Sequence, residues 1–138
     1  MDEVRGLLET VVVGLLDGSS GMAAIVSCPV LEGDEDEDRP DEYVSVVGGD
    51  TETRGSGMHL ADLEIRVVQP VDDDDTVARG RERLRAICEW LDSDRCPLRG
   101  YKSDALVVPG FKVMAQTGQK GTRSRADIVH LKVGCAAL

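Results

Sequence analysis

Hydrophobic and polar positions repeat with two different periods in the middle of this chain, and each period predicts one element. Between residues 59 and 68, apolar and charged side chains alternate one by one, as they do in a strand that buries one face. From about 75 to 92, apolar side chains recur every three or four residues, which predicts an amphipathic helix. The buried side of the strand is predicted to be Ala61, Leu63, Ile65 and Val67, opposite Asp62, Glu64 and Arg66.

The helix at about 75–92 has a predicted buried stripe of Val77, Leu84, Ile87, Cys88 and Leu91. Gly80 lies in this stripe, where the absence of a side chain permits close approach of a neighbour. The cluster Asp72–Asp75 precedes the stripe, and negative charge is favourable at a helix N-terminus, so Asp75 or Thr76 is a predicted cap. The pairs Arg79/Arg83 and Arg81/Arg85 are predicted to flank the stripe on opposite sides.

The other apolar segments predict a second helix and three further strands. A helix at about 3–17 is indicated by the stripe Val4, Leu7, Leu8, Val11 and Leu15. Strands are predicted at about 43–48, 59–68, 105–115 and 126–134, with a bulge or an edge at Pro109-Gly110. The segment 22–31 fits either a strand or a continued helix, because Pro29 limits both. With polar loops at 32–42, 50–57, 93–104 and 116–125, the pattern predicts one α+β domain over 1–138.

The acidity of the chain comes from two short segments. The 138 residues carry a formal net charge of −10. Residues 32–42 contain eight acids and one arginine, and Asp72–Asp75 are four more acids, so the remainder is nearly neutral. Nucleic-acid binders generally present a basic face with stacking aromatics, whereas the aromatic residues here are only Tyr43, Trp90, Tyr101 and Phe111. Direct binding to nucleic acid is therefore disfavoured.

The apolar stretches are too short for a membrane span. The longest lie at 11–16 and 22–31, well below the roughly 20 residues that a transmembrane helix needs. The N-terminus begins with acids instead of the basic region of a secretory signal. We therefore expect no membrane association, and a cytoplasmic or virion protein.

Two acidic groups have spacings that suggest chemistry. Asp34, Asp36 and Asp38 match the first positions of a calcium-binding EF-hand loop, but Arg39 stands where that loop needs glycine and Ser45 where it needs glutamate. Residues 32–42 are therefore interpreted as a solvated loop. The cluster Asp72–Asp75 resembles a catalytic carboxylate pair, but a helix start explains it without catalysis.

The remaining candidates for chemistry have no recognisable signature. His59 and His130 both fall in predicted strands, outside any Ser/His/Asp or Cys/His motif. The glycine-bearing segments at 48–57 and 118–121 lack the endings of phosphate or dinucleotide loops. Cys28, Cys88, Cys96 and Cys135 form no CxxC pair, which favours free, partly buried thiols. The sequence thus predicts no catalytic residue, cofactor or metal.

The arginines of the 75–92 helix have three possible uses. They could clamp phosphate, they could belong to a solvated helix whose long stems cover the core edge, or they could contact another subunit, since arginine is enriched at interfaces. We predict subunit contacts for Arg54, Arg79, Arg81, Arg83 and Arg85.

The order of elements resembles the tail-terminator, or tail-completion, proteins of long-tailed bacteriophages, the group typified by the phage lambda minor tail protein U. Most of the resemblance lies in DEYVSVVGGDTETRGSGMHLADLEIRVVQPVDDDDTVARGRERLRAICEWL at 41–91, where RGSGMHLADLEIRVV precedes acids and an arginine-rich helix that ends at Leu91. The charged loop 32–42 and the Pro109-Gly110 break depart from a minimal member of this family.

The resemblance implies helices packed on one face of a mixed, mostly antiparallel sheet. It also implies a homo-oligomeric ring, a hexamer in most members, that caps the tail tube and joins the tail to the capsid neck. The implied partners are further copies of the chain, the tail-tube protein and a neck or head-completion protein, with DNA passing through the lumen unbound. The implied location is the virion at the junction of tail and neck, with assembly in the host cytoplasm. The alternatives are another neck, head-completion or tube-like phage protein, a cellular adaptor, or a small ligand-binding domain or enzyme that uses Asp72–Asp75 or His130.

Overall fold

A computed structural model describes residues 2–18, 26–33, 39–55, 57–71 and 74–138. The elements in chain order are α1 (Asp2–Gly18), β1 (Val30–Glu32), β2 (Tyr43–Arg54), β3 (Met58–Pro70), α2 (Asp74–Asp92), β4 (Tyr101–Lys102), β5 (Leu106–Lys120) and β6 (Ser124–Ala137). The strands form one six-stranded sheet in the order β1-β2-β3-β6-β5-β4. β1 is parallel to β2, and every other neighbouring pair is antiparallel. The predicted α+β class, with two helices on a mixed and mostly antiparallel sheet, is confirmed.

The core lies between the two helices and one face of the sheet. Ala61, Leu63, Ile65 and Val67 of β3 are buried there, as their alternation predicts, and Val129, Leu131 and Val133 of β6 lie beside them. α1 packs mainly on β2 and β1, and α2 packs mainly on β3 and β6. Among the described residues no helix is long and apolar enough to cross a membrane.

The buried stripes of both helices differ from the predicted ones. In α1, Val4, Leu8, Val12 and Leu16 are buried, while Leu7, Val11 and Leu15 lie at the margin of the core. In α2, the buried residues are Thr76, Gly80, Arg83, Ile87 and Leu91. The prediction for α2 is therefore right for Gly80, Ile87 and Leu91, and Leu84 and Cys88 pack against the margin of the core, whereas Val77 is only half-buried. The physical reason is that Thr76 and Arg83 are both buried and bonded to other elements: Gln69 donates to the carbonyl oxygen of Thr76, and the guanidinium of Arg83 donates to the carbonyl oxygen of Val26.

The two long hairpins of the sheet extend much further than predicted. β2 continues to Arg54 and β3 begins at Met58, so most of the predicted loop 50–57 is strand. β5 continues to Lys120 and β6 begins at Ser124, so the predicted loop 116–125 is wrong except at 121–123. Both extensions are polar, and cross-strand pairing holds them in place of a buried apolar face. A bulge separates Val107 from Gly110, as predicted at Pro109-Gly110.

The shorter connections also contain regular structure. The predicted loop 93–104 includes β4, and the segment left open at 22–31 ends in β1, while residues 19–25 lie outside the described residues. In the acidic segment, Glu32 belongs to β1 and 34–38 lie outside the described residues. Arg39 donates from Nη2 to the carbonyl oxygens of Glu32 and Gly33, both at 3.1 Å. α2 begins at Asp74, so Asp75 and Thr76 lie inside its first turn and do not cap it.

Candidate assembly interface

Four of the five arginines predicted for subunit contacts lie at the protein surface. Arg54 stands at the end of β2, 3.4 Å from Glu52, and Arg85 lies 2.5 Å from Glu82 on α2, with all four of these side chains well exposed. Arg81 is exposed on the same helix. Arg79 is half exposed and pairs with Glu42 at 3.2 Å. These four side chains are accessible to another subunit, and their use there stays a prediction.

Arg83 is the exception, because its side chain is only 6% exposed. Its Nε donates to the carbonyl oxygen of Val26 at 2.6 Å, and its Nη1 donates to Oε1 of Glu42 at 2.7 Å and to Oε1 of Gln69 at 3.2 Å. The guanidinium therefore connects α2 to the segments before β1 and β2 and to the end of β3. The prediction that Arg83 flanks the apolar stripe is wrong, since Arg83 lies within the buried face.

The buried polar cluster around Arg83 depends on a glycine and on a neighbouring carboxylate. A Cβ placed at Gly80 would lie 2.4 Å from Oε1 of Gln69, whose Nε2 donates to the carbonyl oxygen of Thr76. Hydrogen bonds from Arg79 and Arg83 lower the pKa of Glu42 below its usual value. The buried residues of α2 have helical spacing, so the sequence contains a signal for this face of the helix. A search for apolar residues alone misses it, because two of the five are polar; the five are Thr76, Gly80, Arg83, Ile87 and Leu91.

The outer face of the sheet, which the helices leave uncovered, carries paired charges. Lys132 donates to Asp62 at 2.7 Å, and this bond raises the pKa of Lys132. Arg66 donates to Glu64 at 2.6 Å, and His130 lies 3.5 Å from the same carboxylate. These side chains line an open depression of about 500 Å³. Acids and bases are balanced along it, so this face presents a polar surface of low net charge.

The second half of β5 is an exposed edge of the sheet, and we refer to Phe111–Lys120 as the β5 edge. β4 pairs only with Val107 and Val108, so within the described residues no strand pairs with the outer side of the β5 edge. Val113 is 38% exposed and Met114 is 54% exposed, next to each other at a second bulge. Exposed apolar side chains on an unpaired edge are features of an association surface.

The acidic candidates for chemistry lie only partly within the described residues. The EF-hand-like Asp34, Asp36 and Asp38 and the first two acids of Asp72–Asp75 lie outside the described residues, and the other two are in the first turn of α2. In the described part of the chain, no group of three or more acidic, histidine or cysteine side chains is arranged to hold a metal ion.

The two histidines have different surroundings, and the thiols are buried or half-buried. His59 is opposite Cys135 in the β3–β6 register, but that thiol is fully buried and burial raises its pKa. Cys28, Cys88 and Cys96 are likewise free thiols whose pKa is raised by burial. Because a thiolate, and not a thiol, is the nucleophile, the His59–Cys135 pair is unsuited to covalent catalysis. His130 is hydrogen-bonded to Thr117 at 2.7 Å and faces the polar sheet surface.

Comparison with known proteins gives structural similarity only. No protein-family model matches this sequence, and no curated protein matches it. A chain in the solved virion of a native gene transfer agent particle shares the fold, with a TM-score of 0.58, 16% identity, and coverage of 88% of this chain and 90% of that one. A second solved structure is 17% identical, with a TM-score of 0.54 and coverage of 99% of this chain and 94% of that one. The chain is therefore structurally similar to a component of a phage-like virion.

Proposed function

We propose that this protein is a structural subunit of a phage-like virion, and that it acts as a tail terminator. The observation that carries this proposal is the fold shared along 88% of this chain and 90% of a chain in a gene transfer agent virion. The order of elements in the sequence resembles tail terminators, which points in the same direction.

In the proposed role, several copies form a ring, a hexamer, that caps the tail tube and docks the capsid neck. The partners are the tail-tube protein and a neck or head-completion protein, and the location is the tail–neck junction of the virion, after assembly in the host cytoplasm. The net charge of −10 suits a ring through which DNA passes without being held, because like charge repels phosphate backbones.

Size-exclusion chromatography with light scattering tests the ring directly. The purified protein, alone or mixed with its tail-tube protein, is expected to reach a mass six times the 14.9 kDa of the chain. Electron microscopy is expected to show it at one end of each tube. A protein that stays monomeric and never binds tube ends contradicts the proposal.

A tube-like or head-completion role is the second candidate, because the shared fold is that of a virion component and both of these roles also belong to virion components. Deletion of the gene separates the candidates. Overlong tails that are not joined to heads indicate a terminator, whereas finished tails beside leaking heads indicate a head-completion protein.

A further inference from the structure

Among the described residues, the sheet has open edges on both of its outer sides. On one side the β5 edge is uncovered, and its central stretch, residues 113–119, contains no charged residue and no proline. Natural proteins usually protect such edges with charges, proline or a covering segment. This uncharged stretch, which includes the exposed Val113 and Met114, therefore favours pairing with another strand.

On the other side, the second half of β2 is uncovered. β1 pairs only with Val44, Ser45 and Val46 in the described structure. The N–H of Gly48 donates to Glu9 of α1 at 2.8 Å, so the open part follows it. We refer to Gly49–Arg54 as the β2 edge. It is largely solvent-exposed, and Thr51 is its only half-buried residue.

The two edges have compatible directions. β2, β3, β6 and β5 are each antiparallel to the next strand, so β5 runs opposite to β2. When the sheet of one copy continues into the sheet of the next, the β5 edge meets the β2 edge as an antiparallel pair. This is the commoner and slightly more stable strand pairing.

The positions of the two edges also fit a closed assembly. The β2 edge lies level with the start of β5, near the β2–β3 turn, whereas the β5 edge extends to the turn at 121–123. The two edges are therefore at diagonally opposite corners of the sheet, and pairing them requires a shift along the strands. Strands that tilt around a closed sheet are related by such a shift.

The charges of the two edges are complementary. Lys112 and Lys120 are the charged residues of the β5 edge, and the β2 edge carries Asp50 and Glu52 together with Arg54. An antiparallel register that pairs Gln119 with Thr51 places Lys120 opposite Asp50 and leaves Lys112 beyond Arg54. Opposite charges across paired strands are favourable and like charges are unfavourable.

We propose that copies of this chain associate by antiparallel pairing of the β5 edge of one copy with the β2 edge of the next. Because different surfaces meet, the contact is heterologous, and repeating it forms a ring when the rotation closes. This inference rests on the proposed self-association and names the surface that produces it.

Paired cysteine substitutions test the contact. Thr51→Cys is combined in turn with Thr117→Cys, Gly118→Cys and Gln119→Cys, and mild oxidation is followed by non-reducing electrophoresis. At least one double variant is expected to give a ladder of cross-linked oligomers, because paired strands bring Cβ atoms within disulfide distance. Each single variant and the parent, which retains four native cysteines, are expected to remain uncross-linked. Dimers from a single β5 variant would instead show β5 pairing with β5 and overturn the proposal.

A charge exchange provides a second readout that does not depend on disulfide geometry. Lys120→Glu is expected to weaken self-association by about fivefold, and adding Asp50→Lys is expected to restore it. Arg95→Glu, at an exposed position outside both edges and outside the arginines predicted for subunit contacts, is the control and is expected to change nothing. Arg81→Glu tests the alternative contact through the helix arginines.

The outcomes separate this contact from the proposed function. If oligomers persist but no cysteine pair cross-links and the charge exchange has no effect, the edge contact is wrong while the ring remains. If Arg81→Glu alone dissociates the oligomer, the helix arginines form the contact. A protein that is monomeric with and without tail tubes contradicts both the contact and the proposed function.

Discussion

Replacement of Arg83 by alanine is the most informative single change in this protein. Arg83 is the only arginine of α2 that is buried in the described structure, and its guanidinium donates to Val26, Glu42 and Gln69. Arg81 lies two residues earlier on the exposed side of the same helix. Arg81→Ala removes the same charge and the same side-chain atoms, so it is the matched control.

The expected loss can be worked out from the partners of Arg83. The carbonyl oxygen of Val26 and Oε1 of Gln69 both lose a donor in a buried environment, at roughly 1–3 kcal/mol each. The ion pair with Glu42 adds little, because that carboxylate is 27% exposed and keeps Arg79 as a partner. With partial replacement by water, we expect about 3 kcal/mol of lost stability, or a melting temperature lower by about 10 °C.

Urea unfolding at a fixed protein concentration is the appropriate assay, because self-association adds stability that depends on concentration. Circular dichroism and the fluorescence of Trp90, the single tryptophan, are expected to report the same transition. Arg81→Ala is expected to lie within about 0.5 kcal/mol of the parent protein, and Arg83→Lys between the two alanine variants, since lysine keeps the charge but not the planar fork. Equal stability of Arg83→Ala and Arg81→Ala would refute the assignment of Arg83 to a buried network.

Three further changes test other parts of the structure. Hydrogen bonds from its arginine partners lower the pKa of Glu42, so its charged form stabilises the fold above pH 4.5, its usual pKa, and this stabilisation is lost as the pH falls through the lowered pKa. Glu42→Gln is therefore expected to melt at a lower temperature than the parent at pH 7, and at the same temperature as the parent at a pH below the lowered pKa. Ile87→Ala is expected to lower the free energy of unfolding by about 2–5 kcal/mol, and Leu84→Ala by clearly less, since Ile87 is fully buried and Leu84 is not. Urea titration measures both losses, and a larger loss for Leu84→Ala would contradict the observed buried face of α2. Cys96 and Cys135 are buried, and burial raises the pKa of both thiols. Iodoacetamide is therefore expected to alkylate them only after unfolding, as mass spectrometry can measure. Rapid labelling of these two cysteines in the native protein would contradict their burial.

The sequence predicts the elements of this fold better than their faces and ends. The alternation of β3 and the periods of α1 and α2 gave the correct types, since each period reflects local backbone geometry. The buried face of α2 was predicted wrongly at Arg83, because an arginine is expected at the surface. Its burial depends on its hydrogen-bonding partners Val26, Glu42 and Gln69, which are distant in the sequence. The polar ends of β2 and β5 were interpreted as loops because their strand conformation depends on pairing with β3 and β6.

The sequence also determined only part of the candidate interface, and the tertiary structure decided the rest. The sequence by itself determined that the chain is acidic in two short segments, that its arginines cluster on one helix, and that its histidines and cysteines match no catalytic motif. Composition and spacing are local properties, so they can be read without a fold. Only the tertiary structure decided that one of those arginines is buried, and that β1 and β4 cover too little of their neighbours and leave two open edges. Which strands remain unpaired follows from the order of the whole sheet, and that order depends on contacts between residues far apart in the chain.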